Sequence, residues 1–228
     1  MSRKKPLNPQ VDVILRNEAI QRVTKAKFLG VIVDQHLNWK DHISMVSHKI
    51  SKSCGRISRI RNTLDIKSKK MIYYTSHTPL YLPDCTNVWS STYRTNLKTL
   101  CTAQKRSVRT LFATVQQPHS RYIFINQKSL PLDKLINQQE GLLAYKVING
   151  TFLLNDFLNH GDVRHQIKLR NIGDLRILLY TATQSQLFVR YRAINTWNGL
   201  SGDLRSSSWS LCTFKNKLRQ LYLFSHSF

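Results

Sequence analysis

Acidic residues are scarce in this chain: 12 Asp and Glu stand against 35 Lys and Arg in 228 residues, a formal charge of +23. No two of the twelve are adjacent or one residue apart, so the DD, D-x-D and D-x-E patterns that bring carboxylates onto paired metal ions are missing. The acids therefore read as helix caps and surface partners. No catalytic residue, no metal ligand and no cofactor is expected in this chain. Glycine is sparse too, eight in all; none precedes a lysine and no two are one residue apart, which excludes a phosphate-binding P-loop and a dinucleotide fingerprint. No G-x-S-x-G stands in the chain, and the histidines lie apart from any familiar nucleophile and acid. His36, His42 and His48 recur every six residues, which suits neither a helix face nor a strand face, so they read as solvent-facing polar residues. The four cysteines, Cys54, Cys85, Cys101 and Cys212, form neither a disulfide framework nor paired metal-ligand spacing and read as reduced and structural. No apolar run approaches the roughly 18 residues of a membrane span, and the start MSRKKPLNPQVDVIL lacks the apolar stretch of a signal peptide. An intracellular setting is expected, with the compartment unknown and neither a membrane nor a small-molecule substrate as partner.

What is abundant is positive charge. An excess of this size repels itself in a compact chain, and the commonest polymer that neutralises it is a phosphate backbone, so RNA or DNA is the expected partner. The cations crowd one stretch, where Lys49, Lys52, Arg56, Arg59, Arg61, Lys67, Lys69 and Lys70 face a single acid, Asp65.

Short apolar runs at 11–15, 20–23 and 28–33, the last broken by Gly30, predict two or three short antiparallel strands. From Asp41, a candidate cap, the period changes: Ile43, Val46, Ile50, Cys54, Ile57 and Ile60 make the stripe of an amphipathic helix, with Lys49, Lys52, Arg56 and Arg59 between them and away from the core. A second helix is predicted over 66–77, capped by Asp65 and stopped by Pro79 and Pro83. A third runs from Asn96 through Leu97, Leu100, Gln104, Val108 and Leu111, with Lys105, Arg106 and Arg109 off its apolar stripe. A fourth spans 132–148, stopped by Asn149-Gly150. Residues 160–174 read as an exposed loop, 187–192 as a strand, and Ser210 as the start of a last helix through Leu211, Phe214, Leu218 and Leu221. Trp39, Trp89, Trp197 and Trp209 sit among apolar neighbours and read as core rather than as base-stacking platforms. The expected class is α+β and mainly helical: a short N-terminal antiparallel hairpin, a helical region, and a mixed, mostly helical C-terminal region. The divisions are 1–40, 41–115 and 116–228, with a linker at Gln116-Gln117-Pro118-His119.

Over 26–43 the run AKFLGVIVDQHLNWKDHI resembles the reverse transcriptases of jockey-like non-LTR (LINE) retrotransposons. Further stations follow in order: ISKSCGRISRIR at 50–61, Tyr73-Tyr74, YLPDC at 81–85, VWSSTY at 88–93, NLKTL at 96–100, QKRSVR at 104–109, VRYR at 189–192, TWNGL at 196–200 and TFKNKL at 213–218. The resemblance runs from about Val11 to Leu221. Family members often carry Pro after the Trp-Asn-x-Leu unit, where this chain has Ser201.

The resemblance implies that Lys27, Phe28, Leu29 and Gly30 correspond to the hairpin at the palm edge that grips the primer end, and that the following helices form a thumb and a C-terminal region. The candidate nucleic-acid contacts are those four residues together with Lys49, Lys52, Arg56, Arg59, Arg61, Lys105, Arg106 and Arg109, which the charge pattern puts on the wet faces of the helices. The family's catalytic aspartates lie in an F/Y-A-D-D box upstream of the hairpin, and no such box stands here. The implied role is therefore to hold template and primer for an RNA-directed DNA polymerase whose active site, with its Mg²⁺, belongs to the complete parent enzyme. The partners implied are RNA, DNA and the rest of that polymerase. Two other readings stand beside it: an independent basic RNA- or DNA-binding module, and a translated pseudogene fragment without function.

Overall fold

The structure is a computed structural model that describes residues 14–16, 18–77, 85–112, 119–150, 175, 182–205 and 209–224. The expected class holds: the described residues are 68% helical, with short antiparallel strands at the N-terminal side. The expected loop at 160–174 and most of the expected linker lie outside the described residues.

The strands group differently from the expectation. Ile14–Leu15 (β1) pairs with Glu18–Ala19 (β2), and Lys25–Phe28 (β3) pairs with Val31–Asp34 (β4), in two separate two-stranded sheets. Residues 28–33 are thus a strand end, a turn and a second strand, and Ile20 and Val23 belong to an exposed connection. The reason is the turn. Leu29 and Gly30 both have positive φ, 46° and 83°, as the two central residues of a tight hairpin turn must when its twist matches the strands. Gly30 adopts this without steric cost, and Leu29 is held there by the register Lys25↔Asp34 to Phe28↔Val31.

β4 leads into the first long helix, Lys40–Ile60 (α1), through a corner organised by Asp34, which is 5% exposed. Its carboxylate accepts the backbone N–H of His36 (3.0 Å), Asn38 (3.1 Å) and Trp39 (2.9 Å), while Asn38 Oδ1 accepts the N–H of Lys40. Asp41 is not the cap. The helix has already begun at Lys40, and Asp41 sits in its first turn, where a negative charge suits the helix dipole, paired with Lys25 at 2.9 Å. Asp34→Ala is expected to leave three N–H groups without an acceptor and to cost about 1–3 kcal/mol, read as a shift in the urea midpoint at unchanged slope.

α1 buries Ile43, Val46, Ile50, Cys54 and Ile57, as its spacing predicts, but Ile60 is 48% exposed at the end of the stripe. His42 is also buried, against the expectation for a solvent-facing residue. Its Nδ1 accepts the N–H of Ile32 and its ring lies 5.7 Å from that of Trp89. Burial, reinforced by Lys49, holds its pKa below the usual histidine value, so it is neutral and able to accept that bond.

A short helix Ile66–Ile72 (α2), capped by Asp65, continues as one π-helical turn, Tyr73–His77. After Thr86–Trp89 (α3) comes Arg94–Phe112 (α4), which packs along α1. The two run parallel: Thr92 and Asn96 bond the carbonyl of Asn38 at their N-terminal ends, and Ser107 meets the Cys54 thiol further along. Ser120–Asn126 (α5) covers the far end of α4 with Ile123 and Phe124.

Leu132–Ile148 (α6) is the central helix, buried on every side. Thr183–Gln186 (α7), Val189–Asn198 (α8), Gly202–Arg205 (α9) and Leu211–Phe224 (α10) complete the order, and α8 and α10 pack on α6. Residues 189–192 are the first turn of α8, not a strand. The buried set Ala193, Ile194 and Trp197 follows the helical period, which a six-residue window ending at Arg192 does not reach. Gly141 on α6 lets α10 close in, since a Cβ there would meet Leu218 at 3.2 Å. α10 buries Phe214, Leu218 and Tyr222, four residues apart, and leaves Leu211 and Leu221 each 41% exposed. One core takes residues from Val31 to Tyr222, on both sides of the anticipated boundary near 116. Trp39, Trp89 and Trp197 are in it, and Trp209 lies against it with Lys217 Nζ 4.1 Å from its ring centre.

Glu140 is 3% exposed, not a surface partner. Thr196 Oγ1 donates to its Oε2 at 2.8 Å, and Arg192 Nη2 lies 3.3 Å from Oε1, an ion pair too poorly aligned for a hydrogen bond. Arg192 in turn donates to the Ser90 carbonyl (2.7 Å), Ser90 Oγ (2.9 Å) and the Asn87 carbonyl (3.3 Å), tying α8 to α6 and to α3.

Candidate nucleic-acid interface

All twelve candidate nucleic-acid contacts are exposed. Lys27, Phe28, Leu29 and Gly30 form the tip of the β3–β4 hairpin, with Phe28 68% and Leu29 81% exposed. Large apolar side chains at a tight turn have nothing to pack on in the free chain. The hairpin itself is anchored at its other strand, through Val31 in the core and the Ile32–His42 hydrogen bond.

Lys49, Lys52, Arg56 and Arg59 are spaced 3, 4 and 3 on α1, so they form one stripe, turned away from the buried Val46, Ile50, Cys54 and Ile57. Arg61 follows at the helix end. On α4 the exposed Lys105, Arg106 and Arg109 flank the buried Gln104, Ser107 and Val108. Because α1 and α4 run parallel, their C-terminal ends lie side by side. Arg61, Lys105, Arg106 and Arg109 therefore surround one open depression of ≈ 460 Å³, with Thr102 and Thr110 completing its lining. The two threonines give no signal in the sequence, because each hydroxyl donates to its own helix, to Lys98 O and Arg106 O.

Four cations around one concavity oppose one another unless something neutralises them. Two facts offset that repulsion in the free chain. Arg61 and Arg109 stand at the C-terminal ends of α1 and α4, where the backbone dipole favours positive charge, and all four cations are in water. None of the four is in an ion pair among the described residues; Asp41 pairs with Lys25 and Glu140 with Arg192. The group is thus free to meet an anion.

The hairpin does not join this depression. It docks at the N-terminal end of α1, and the helix, 21 residues long, separates the two by about 30 Å. The stripe from Lys49 to Arg59 lies between them.

The thiols nearby are unsuited to nucleophilic work. Burial pushes Cys54 and Cys101 above the ordinary thiol value. Among the described residues no three His, Cys, Asp or Glu side chains are grouped to hold a metal ion; Asp34 binds backbone N–H groups, Asp41 pairs with Lys25, Asp65 caps α2, and Glu140 faces Arg192 and Thr196. Among the described residues no helix is long and apolar enough to cross a membrane. Comparison of the chain with family models, with curated proteins and with solved structures finds no match in any of the three.

Proposed function

We propose that this chain holds nucleic acid as the C-terminal part of a non-LTR retrotransposon reverse transcriptase, binding template and primer for an active site carried by another part of the polymerase. The observation that carries the binding is the depression between α1 and α4, where Arg61, Lys105, Arg106 and Arg109 converge without acidic partners. The stripe Lys49, Lys52, Arg56 and Arg59 extends that charge along α1. From Lys49 to Arg59 the helix rises about 15 Å, which spans about four phosphates of one strand at 3.4 Å each, so contact along the whole stripe is geometrically consistent. The ordered motif series from Val11 to Leu221 supports the link to the polymerase. In that role the exposed Phe28 and Leu29 meet the primer end or the rest of the enzyme.

Purified chain should bind a fluorescent RNA–DNA hybrid with an affinity that falls steeply with added salt, and should incorporate no nucleotide when supplied with dNTPs and Mg²⁺. Binding that is absent or insensitive to salt removes the phosphate-track reading, and robust incorporation removes the placement of the active site elsewhere.

A second reading, an independent binding module, is favoured by the shared core from Val31 to Tyr222. It requires a single cooperative thermal melt from a soluble monomer, whereas a part severed from a larger enzyme exposes its docking surface and aggregates on purification.

A further inference from the structure

A second, smaller concavity lies where the π-helical turn, residues 129–130, α6 and α10 meet. Its volume is ≈ 170 Å³, and the side chains that define its chemistry are Tyr73, Tyr74, Gln138, Gln139, Lys215 and Arg219. At about 30 Å³ per water it has room for five or six waters, well under the roughly 300–1,000 Å³ of pockets that take drug-sized ligands. That is the size for one planar ring system.

The lining is pre-organised. Tyr73 is 2% exposed and its hydroxyl accepts from Ser129 Oγ at 3.2 Å and Gln104 Nε2 at 3.4 Å. Tyr74 stands edge-on to it, ring centres 5.5 Å apart, and its hydroxyl donates to the Gln127 carbonyl while accepting from Arg219 Nη2 at 3.3 Å. Arg219 also donates to the Lys128 carbonyl at 2.8 Å, so its guanidinium is held by the protein. Gln138 is 4% exposed and gives its Nε2 to the Lys215 carbonyl at 3.1 Å, leaving its Oε1 as an acceptor. The Lys215 ammonium carries no carboxylate partner among the described residues. Aromatic rings, amide groups able to read a hydrogen-bonding edge and two cations beside them are together the complement of a base with its phosphate. The tyrosines occupy a π-helical turn, a rare backbone form that concentrates at functional sites. Tyr73 also packs, in the second core, with Ile57, Val108 and Phe112, on the helix ends that carry the four-cation depression.

We propose that this cavity takes one nucleobase of a bound strand, its phosphate met by Lys215 and Arg219. The inference rests on the nucleic-acid reading above, yet a nucleoside monophosphate alone contains everything the cavity would recognise. Calorimetric titration of the full chain with AMP, GMP, CMP and UMP therefore tests it, with ribose 5-phosphate and inorganic phosphate as probes that lack the base. At least one nucleotide should bind, and both base-free probes should bind about tenfold more weakly or worse. Tyr74→Ala should weaken the nucleotide about 5- to 150-fold, the range of one base stacked on an aromatic ring. If that variant loses its cooperative melt, Lys215→Ala, at an exposed position, decides instead through a loss of about threefold. Equal affinity for phosphate alone, no nucleotide binding, or unchanged affinity in the deciding variant overturns the proposal. The variant with Arg61, Lys105, Arg106 and Arg109 replaced by alanine separates the two readings: it should weaken strand binding and keep nucleotide binding. A chain that binds nucleotides but never a strand keeps the pocket and loses the track.

Discussion

Replacing Arg61, Lys105, Arg106 and Arg109 together by alanine is expected to leave thermal stability within about 1 kcal/mol of the parent chain and to flatten the salt dependence of strand binding. Each phosphate contact contributes about 0.9 to the slope of log K against log salt on duplex and about 0.7 on a single strand, so four lost contacts remove about 3.6 or 2.8. Stability should hardly move because two small terms oppose each other. Arg61 and Arg109, at helix C-terminal ends, gain a few tenths of a kcal/mol from the dipole, and the four cations around one depression repel one another by a similar amount. The measurement is anisotropy at four or more salt concentrations together with a melt. A slope unchanged by the substitutions shows that strands bind elsewhere on the molecule. Charge reversal at Arg56 and Arg59 then reports whether the stripe carries contacts of its own, and a change that is uniform across strand sequences is expected, because phosphates carry no sequence information.

The largest loss of stability is expected at Arg192. Arg192→Ala leaves Glu140, 3% exposed, with only the Thr196 hydroxyl beside it, and strips the carbonyls of Asn87 and Ser90 of their donor. Removing one partner of a buried pair costs about 3–5 kcal/mol, which at about 2–4 °C per kcal/mol lowers Tm by roughly 6–20 °C. The pH dependence identifies the cause. Burial already raises the Glu140 pKa above 4.5, and Arg192 is what opposes that rise. A carboxyl whose folded pKa is raised favours the folded state below its unfolded pKa and loses that contribution as pH rises through the folded value. Without Arg192 the rise is larger, so the deficit against the parent should be largest on the alkaline side and shrink as pH falls through the two raised Glu140 values, both of which lie above 4.5. Pairing Glu140→Leu with Arg192→Met should recover more than half of the loss, since no charge is then stranded. A single-variant deficit below about 1 kcal/mol, or one that is the same at every pH, would mean that Glu140 is solvated or already protonated in the parent.

Much of the helical frame is legible in the sequence, and the reason is length. α1 and α4 each repeat their apolar period often enough for burial and charge to separate onto different faces, so Ile43 to Ile57 go in and Lys49 to Arg59 stay out. Where the window is short the pattern fails. The six residues before and including Arg192 alternate like a strand, and only Ala193, Ile194 and Trp197, further on, show that the period is helical. Single polar residues are equally silent: His42, Asp34 and Glu140 carry no local sign of burial, because what permits it is a partner from elsewhere in the chain, Ile32 N–H, the corner amides and Arg192.

By itself, the sequence determined that this chain must keep a large positive charge at its surface, since 35 cations cannot be matched by 12 acids and an unpaired ammonium or guanidinium is too costly to bury. It also determined amphipathic helices whose wet faces are basic, whereas the tight turn at Leu29-Gly30, inside a run that reads as one strand, came only from the structure. Which of those cations meet was decided only by the tertiary structure. Asn38 receiving Thr92 and Asn96, and Cys54 meeting Ser107, set α1 and α4 parallel and place Arg61 beside Arg109. A helix periodicity specifies a face but not the partner that covers it or the direction in which that partner runs. Those follow from side chains far apart in the chain finding a common fit, and the four-cation depression is a product of that fit.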